Sequence, residues 1–480
     1  MSSPDADPPS LYAAREPIFP KAVSGPFRRL KWIIMGLTLA IYYITPWIRW
    51  DRGPGMPDQA VLVDLANRRF FFFWIEIWPH EFYFVAGLLV MAGLGLFLFT
   101  SALGRVWCGY TCPQTVWTDL YVHVERWIEG DRNAQIRLWR AKWDAHKARL
   151  RLTKWALWLV IALLTGGAWV FYFTDAPTLL RALLTGQAHP VAYVTIAVLT
   201  ATTFIFGGFM REQICVYACP WPRIQGAMMD EDTLTVAYRE WRGEPRGKIG
   251  RDEATKSDVP PGEKGDCIDC FACVNVCPMG IDIRDGQQLE CITCALCIDA
   301  CDEIMDRIGK PRGLIDYMAL KDETAERVGN EGTSLLKHVL RPRTLLYFGL
   351  WSLIGVGLVV ALLMRSPFDL NVTPVRNPLF VTLSDGAIRN TYELRLRNKQ
   401  HEQMPFTLSV DGGTDLSLSI EGAEADTVLV PADSTATLRV YLTAPAGSAM
   451  TQVETSNIEL VVSDQAGIES TIDTVFHGKN

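Results

Sequence analysis

Cysteine is absent from the last third of this 480-residue sequence, because all twelve cysteines lie before residue 302. That part of the chain therefore cannot depend on disulfide bonds. Residues 1–29 are rich in proline and charge and contain no apolar core of the signal-peptide kind, so we expect a disordered tail there. The net charge of −7 gives no sign of a nucleic-acid-binding surface. No Gly-rich dinucleotide fingerprint stands out, so we expect neither an NAD nor a flavin domain.

Charged residues are also missing from the middle of five long apolar runs, at residues 30–48, 82–103, 155–173, 191–209 and 344–364. Each has about the 17–25 residues that a helix needs to cross a bilayer. One such run could be a buried helix of a soluble core, but five in one chain indicate a polytopic membrane protein. The loop at 49–81 is aromatic and not plainly a span. We expect a short re-entrant or surface-lying helix there, with Trp74 and Trp78 as interfacial anchors.

Lysine and arginine are distributed unevenly between the connections. Residues 104–154 carry ten of them, whereas residues 174–190 carry only Arg181. By the positive-inside rule the first connection is cytoplasmic and the second is periplasmic. With five spans, the N-terminus and residues 210–343 then lie in the cytoplasm, and residues 366–480 lie in the periplasm.

Eight of the cysteines form two runs with the spacing C-x-x-C-x-x-C-x-x-x-C. In such a run three thiolates bind one iron–sulfur cubane and the fourth binds a second cluster, so the ligand sets cross over. Structural zinc and disulfides are the alternatives, but zinc ligands usually come as two separated pairs, and disulfides need an oxidising compartment. Pro278 follows the first run as in bacterial ferredoxins, whereas Asp302 follows the second. The spacing predicts two [4Fe–4S] clusters, the first held by Cys267, Cys270, Cys273 and Cys301 and the second by Cys291, Cys294, Cys297 and Cys277.

The other four cysteines form an internal repeat, Cys-x-Tyr-x-Cys-Pro, at residues 108–113 and 215–220. Each copy follows the end of an apolar run and a basic residue, Arg105 or Arg211. Cysteines at i and i+4 of a helix face the same side, so each copy offers two thiols to one point, and repeats in membrane proteins tend to build a site at their interface. The four residues are Cys108, Cys112, Cys215 and Cys219. Free cysteine also packs well as a small buried residue, but the repetition favours a metal or redox role, with copper and a third cluster as competing occupants.

From about residue 370 the sequence consists of short runs in which apolar and polar residues alternate, such as TYELRLR, FTLSV and ATLRVYLTA. These runs are separated by turn sequences such as DGG and PADS. Seven or eight strands in about 110 residues predict an immunoglobulin-like β-sandwich. We expect this domain to bind or position a partner rather than to catalyse.

These segments together resemble the FixG/RdxA/CcoG family, which are membrane iron–sulfur accessory proteins of cbb-type cytochrome c oxidase biogenesis in bacteria. The resemblance runs nearly end to end, over QAVLVDLANRRFFFFWIEIWP, GRVWCGYTCPQTVWTDLYVHVERWIEG, CVYACPWPRIQGAMMD, the dicluster run and the cysteine-free tail. It implies a cupric reductase that supplies Cu(I) to the binuclear centre of the oxidase. The catalytic and metal-binding residues that it implies are Cys108, Cys112, Cys215 and Cys219. The alternative is an electron-transfer subunit that links quinol or a protein partner to a respiratory complex without copper chemistry.

The expected architecture is a polytopic helical membrane protein with a cytoplasmic dicluster ferredoxin insertion and a periplasmic β-rich domain. Its expected parts are the tail at 1–29, a four-helix membrane domain at 30–209, the ferredoxin domain at 210–343, a fifth membrane helix at 344–365 and the β-rich domain at 366–480. The expected cofactors are two [4Fe–4S] clusters, with copper as substrate and a further metal centre left open. The expected partners are a cytoplasmic electron donor or quinol, a copper chaperone or exporter, the oxidase or its assembly factors, and lipid of the bacterial inner membrane. The resemblance alone suggests a homodimer.

Overall fold

The structure, a computed structural model, describes residues 17–53, 56–248, 264–329, 333–400, 402–412, 415–423, 425–432 and 434–479. The backbone divides into two compact units, Met1–Leu358 and Val359–Asn480. Residues 1–16 of the predicted tail lie outside the described residues. The rest of that segment differs from the prediction, because Lys21 donates its amide to the Asn275 carbonyl at 2.7 Å and a helix already begins at Pro26. This proline-rich stretch is therefore ordered by contacts with neighbouring elements, which its local sequence does not indicate.

The first unit contains long apolar helices and shorter helices between them. In chain order the helices are α1 (Pro26–Ile44), α2 (Tyr83–Leu103), α3 (Val106–Tyr110), α4 (Pro113–Glu129), α5 (Arg132–Arg140), α6 (Ala145–Val170), α7 (Ala176–Leu184), α8 (Pro190–Thr203), α9 (Trp221–Met228), α10 (Glu240–Gly243), α11 (Ala272–Val276), α12 (Leu296–Ile308), α13 (Glu323–Arg327), α14 (Leu335–Val339) and α15 (Pro342–Leu363). Wider, π-helical turns extend α8 over Phe204–Met210 and form a separate segment at Ile214–Ala218.

Four helices within the described residues are long and apolar enough to cross a membrane: α2, α6, α8 with its extension to Met210, and α15. The first predicted run does form a helix, α1, but its first turns carry Arg28, Arg29 and Lys31. The Arg28 side chain is buried, and its Nη1 lies 2.9 Å from Oδ1 of Asp119 in α4. Its amide and that of Phe27 donate to the buried Asp299 carboxylate of α12, so the start of α1 is fixed to the ferredoxin-like part of the chain.

The aromatic loop at 49–81 folds as a small antiparallel sheet, so the expected re-entrant or surface helix is wrong. Its strands are β1 (Val61–Asp64), β2 (Arg69–Phe72) and β3 (Ile75–Ile77), in the order β1-β2-β3. Valine, isoleucine and phenylalanine favour strands over short helices, and the turn between β1 and β2 contains Arg68 at a φ of 57°. Trp74 is exposed, as an interfacial anchor would be, but Trp78 is buried with the Arg69 guanidinium 3.9 Å from its ring centroid. Trp78 is therefore a core residue of this sheet.

The cysteine-rich part of the first unit is built around two antiparallel strands and two helices. Strands β4 (Thr235–Tyr238) and β5 (Ile315–Met318) pair with each other, and α11 and α12 each follow one of the two cysteine loops. Buried side chains of β4, α12 and the approach to β5 form one core, which includes Val236, Ile298, Met305 and Leu314. The two cysteine loops are thus held on a common apolar base.

The second unit contains nine strands among its described residues, arranged in two antiparallel sheets. They are β6 (Phe368–Pro374), β7 (Val381–Thr382), β8 (Ile388–Asn398), β9 (Met404–Asp411), β10 (Ser417–Ile420), β11 (Thr427–Val430), β12 (Thr435–Ala444), β13 (Thr455–Ser463) and β14 (Glu469–His477). One sheet has the order β10-β12-β8-β6, with β7 also on β8, and the other has the order β11-β9-β13-β14. Alternate residues of β8, β9 and β13 share one buried core, and the Tyr392 hydroxyl donates to the Val475 carbonyl of the other sheet at 2.9 Å. The predicted alternation of buried and exposed residues is present here.

Candidate functional site

The two copies of the repeated motif adopt similar turns at the ends of α2 and of the extended α8. In the first copy Cys108 lies in α3 and Cys112 immediately precedes α4. In the second copy Cys215 lies in the π-helical segment and Cys219 follows it. The i and i+4 spacing predicts that the two cysteines of a copy lie on one uninterrupted helix. In the structure they do not, because the helix ends before the second cysteine. The proline that follows cannot donate a backbone hydrogen bond, so a new helix begins there.

The four thiols of the repeat are brought together. The pKa of the Cys215 thiol is raised to about 12, first by burial and then by the neighbouring thiols of Cys112, Cys108 and Cys219, because like charges repel. Burial likewise raises the pKa of the Cys108 thiol to about 11, although Arg105 opposes the shift. Within the described residues, no three Cys, His, Asp or Glu side chains surround one point as ligands of a single metal ion. The four residues form an open arrangement, which we call the four-cysteine site.

Gln225 is a part of this site that sequence reasoning misses. The Cys108 Sγ donates to Gln225 Oε1 at 3.1 Å, and Gln225 Nε2 donates to Thr100 Oγ1 at 3.2 Å. The Gln225 side chain is almost completely buried. A buried amide needs partners for its polar atoms, so this pairing fixes the Cys108 side chain between α2 and α9. Nothing in the local sequence around residue 225 signals the contact.

The two ferredoxin-type cysteine loops have the same backbone shape. Asp269 and Phe271 in the first loop, and Thr293 and Ala295 in the second, all have φ between 52° and 60°. Non-glycine residues rarely adopt this left-handed conformation, which costs each roughly 1–2 kcal/mol. Equivalent positions of both loops therefore share the same strained backbone conformation, which curves each loop so that its cysteines can surround a cluster. All twelve cysteines of the protein are free of disulfides.

The predicted crossed cysteine sets are brought together in space. The pKa of the Cys301 thiol is raised to about 12, first by burial and then by neighbouring groups that include Cys273, Cys267 and Cys270. The pKa of the Cys277 thiol is also raised to about 12, first by burial and then by Cys294 and Cys291. Each set thus offers four soft donors in an apolar setting with a curved backbone. These residues fit the two [4Fe–4S] clusters that the spacing predicts.

The first copy of the repeat packs directly on the second ferredoxin loop. A Cβ atom added to Gly109 would lie 2.6 Å from the Ile292 carbonyl oxygen and 3.1 Å from Cys294 Cα. The Tyr110 hydroxyl donates to the Cys294 carbonyl oxygen at 3.1 Å. Cys108, Ile292 and Cys294 are members of one buried cluster. The four-cysteine site and the second predicted cluster site are therefore adjacent, with no intervening layer of side chains.

A buried network of ion pairs supports the second copy of the repeat. Lys154 Nζ lies 2.9 Å from Glu125 Oε1 and 3.0 Å from Glu129 Oε1, and Arg211 Nη2 lies 2.7 Å from Glu125 Oε1. Arg151 also pairs with Glu129, at 3.3 Å. The network connects α4, α6 and the end of the α8 extension. Sequence reasoning misses it because its members are far apart along the chain.

The fold and the cysteine sets define a membrane-bound iron–sulfur oxidoreductase. A family model described as a 4Fe-4S dicluster domain matches residues 210–320, one described as a 4Fe-4S binding domain matches residues 84–131, and one described as the IG-like fold at the C-terminus of FixG matches residues 358–479.

Three relatives match over most or all of their length. The protein RdxB of Cereibacter sphaeroides is 69% identical over 480 residues, covering 100% of both chains. RdxA of the same organism is 63% identical over 472 residues, covering 98% of both chains. The nitrogen fixation protein FixG of Rhizobium meliloti is 54% identical over 465 residues, covering 91% of this chain and 88% of FixG. The chain belongs to the FixG/RdxA family.

Proposed function

We propose that this protein reduces Cu(II) to Cu(I) at the four-cysteine site, for assembly of the copper centre of a cbb-type cytochrome c oxidase. The observation that carries the proposal is the contact of Gly109 and Tyr110 with the backbone at Ile292 and Cys294. A copper site and an electron source must lie close together, and this contact puts one thiol turn directly on a predicted cluster loop. The resemblance to the family supports the choice of copper.

The side chains at the site suit this chemistry. Four soft thiols favour the Cu(I) product over Cu(II), and each copper ion takes up one electron. The buried thiols, whose pKa values are raised, must release protons when they bind the metal. Gln225 holds Cys108 in place, so at least one ligand is preorganised. Bound at the ferredoxin-type cysteines, the two clusters would supply one-electron transfer.

The proposal includes a topology with five membrane spans. α1 would be the first span, entering the bilayer after its buried basic turn, and the other four would be the long apolar helices. The ferredoxin-like part would then lie in the cytoplasm. The β-rich unit, with its two sheets around one core, would be a periplasmic immunoglobulin-like sandwich without disulfides. This arrangement keeps every cysteine in or beside the reducing compartment.

The proposed partners follow from the same topology. A cytoplasmic protein or a quinol would supply the electrons, and a copper chaperone or exporter would receive Cu(I). The oxidase or its assembly factors would meet the periplasmic unit, and two copies of the chain could associate in the membrane.

A second candidate function is electron transfer through a third cluster at the four-cysteine site, without copper chemistry. One observation favours it: the 4Fe-4S binding family model over residues 84–131 contains only Cys108 and Cys112 as cysteines. A cluster there would need the second copy of the repeat to complete its ligands. The protein would then link quinol or a protein donor to a respiratory complex.

Metal analysis of matched variants separates the two functions. Iron, acid-labile sulfide and bound copper are measured in the wild type, in a variant with all four repeat cysteines changed to alanine, and in Cys270→Ser as the ferredoxin-site control. Retention of wild-type iron with loss of copper binding and of cupric reduction in the quadruple variant supports the proposal. Loss of about one third of the iron, with a missing EPR signal after dithionite reduction, supports the third cluster instead. Full cupric reductase activity in the quadruple variant would exclude the four-cysteine site as the place of copper reduction.

A further inference from the structure

The basic residues that precede the two copies of the repeat have different surroundings. Arg211 is paired with Glu125 at 2.7 Å and belongs to the buried ion network, so its charge is neutralised. Arg105 is 98% buried but has no ion pair with any described residue. A buried, uncompensated guanidinium is costly unless negative charge lies nearby. We therefore expect a negatively charged group other than a carboxylate of the described residues to lie near Arg105.

Arg105 lies between the two groups of cysteines. It precedes Cys108 by three residues in the chain, and its Nη1 donates to the Leu289 carbonyl oxygen at the start of the second ferredoxin loop. With Cys291 it lines a cavity of about 400 Å³, and its Nε has no hydrogen-bond partner among the described residues. Its charge lowers the pKa of both Cys108 and Cys291, against the larger opposing effect of burial. One cation thus acts on a cysteine of each site.

We propose that Arg105 sets the reduction potential of the centre that Cys291 helps to hold, by placing an unneutralised positive charge between that centre and the four-cysteine site. Reduction adds negative charge to such a centre, and a buried cation stabilises the added charge. Arg105 is a positioning residue in this sense, because it acts on the electron only through the electric field of its charge. The inference deepens the proposed function, but its electrostatic part requires only the ferredoxin-type centre and no copper.

The test measures midpoint potentials by EPR during a dithionite titration without copper. Arg105→Gln removes the charge, and we expect the signal of one of the two centres to shift to lower potential. The expected shift is at least tenfold in the reduction equilibrium, which is about 59 mV for a one-electron couple. Arg105→Lys keeps the charge, so its midpoint potentials should differ from those of the wild type by less than about 59 mV. Arg223→Gln is the matched control, since Arg223 lines the same cavity but is exposed, and screening by water and salt should leave its effect small.

The salt dependence of the shift in midpoint potential distinguishes a buried charge from an exposed one. The shift in Arg105→Gln should persist in about 1 M KCl, where the screening length is about 3 Å, because the charge is buried. Unchanged potentials in Arg105→Gln with wild-type iron content would overturn the proposal, as would an equal shift in Arg223→Gln. Loss of iron from both Arg105 variants would make the residue structural and would also overturn it. Failure of the wild type to reduce Cu(II) would remove the proposed function while leaving these potentials interpretable.

Discussion

Replacing Gly109 by alanine probes the contact between the four-cysteine site and the second ferredoxin loop. The new Cβ would lie 2.6 Å from the Ile292 carbonyl oxygen, whereas close carbon–oxygen contacts in proteins lie at about 3.3–3.6 Å. The two segments must therefore separate by about 0.7 Å or more. The atoms that would have to move are backbone atoms of Ile292 and Cys294, which cannot swing aside as the end of a flexible side chain can.

This contact decides whether Gly109→Ala stabilises or destabilises the protein. In an open helix, glycine to alanine stabilises by about 0.5–1 kcal/mol. Overpacking a tight contact costs about 1–3 kcal/mol, so we expect Gly109→Ala to be less stable by about 1–2 kcal/mol. A displacement of about 1 Å near a reacting centre can reduce a rate by about 10²-fold. The cupric reduction rate should accordingly fall by about 10-fold to 100-fold.

Thermal unfolding of Gly109→Ala in detergent is monitored by the loss of iron–sulfur absorbance. Initial rates of Cu(I) formation are measured with protein that has been reduced by dithionite and then desalted, because free dithionite reduces Cu(II) directly. Gly93→Ala in α2 is the control, because a Cβ there meets nothing within 4 Å. It should leave the rate unchanged and stability equal or higher. Wild-type stability and rate in Gly109→Ala would refute the close packing of the two sites and, with it, the main support for the proposed function.

The remaining predictions concern the supports of the site and are measured by thermal unfolding in detergent with iron content as a second readout. Lys154→Met leaves Glu125 and Glu129 buried with less compensation and should destabilise by about 3–5 kcal/mol. The control Arg307→Met removes one exposed ion pair and should change stability by at most about 0.5 kcal/mol; equal effects of the two would contradict the ion-network argument. Asp299→Ala removes the acceptor for the first amides of α1 and should cost about 1–2 kcal/mol, and no loss would mean that α1 is fixed by other contacts.

The ferredoxin-type loops are the part of the site that the sequence predicts best. Their ligands lie two or three residues apart, so the spacing itself encodes how the chain curves around a cluster. The structure has the same left-handed backbone positions in both loops, at Asp269 and Phe271 and again at Thr293 and Ala295. The strands of the C-terminal unit were predictable for a related reason, because alternation of buried and exposed residues is a local pattern.

Features that depend on contacts between distant segments could not be predicted. The sheet at 61–77 contains FFFFW, in which no alternation of apolar and polar residues distinguishes a strand from a helix. Trp78 looks like a membrane-interface residue in the sequence, but Arg69 covers its ring in the fold. Gln225 is an ordinary residue of a short helix until Cys108, more than a hundred positions earlier, is placed beside it.

The repeat is symmetric in its thiols and asymmetric in its surroundings, as one difference in exposure and one difference in sequence show. Tyr110 is 4% exposed and bonded to the Cys294 carbonyl, whereas its counterpart Tyr217 is 65% exposed. Position 109 is glycine because a side chain would collide with the ferredoxin loop, whereas the equivalent position in the second copy holds Val216. The two copies therefore cannot be exchanged. Because the first copy contacts the second ferredoxin loop, we expect it to be the copy that receives the electron, and Arg105 precedes this copy by three residues.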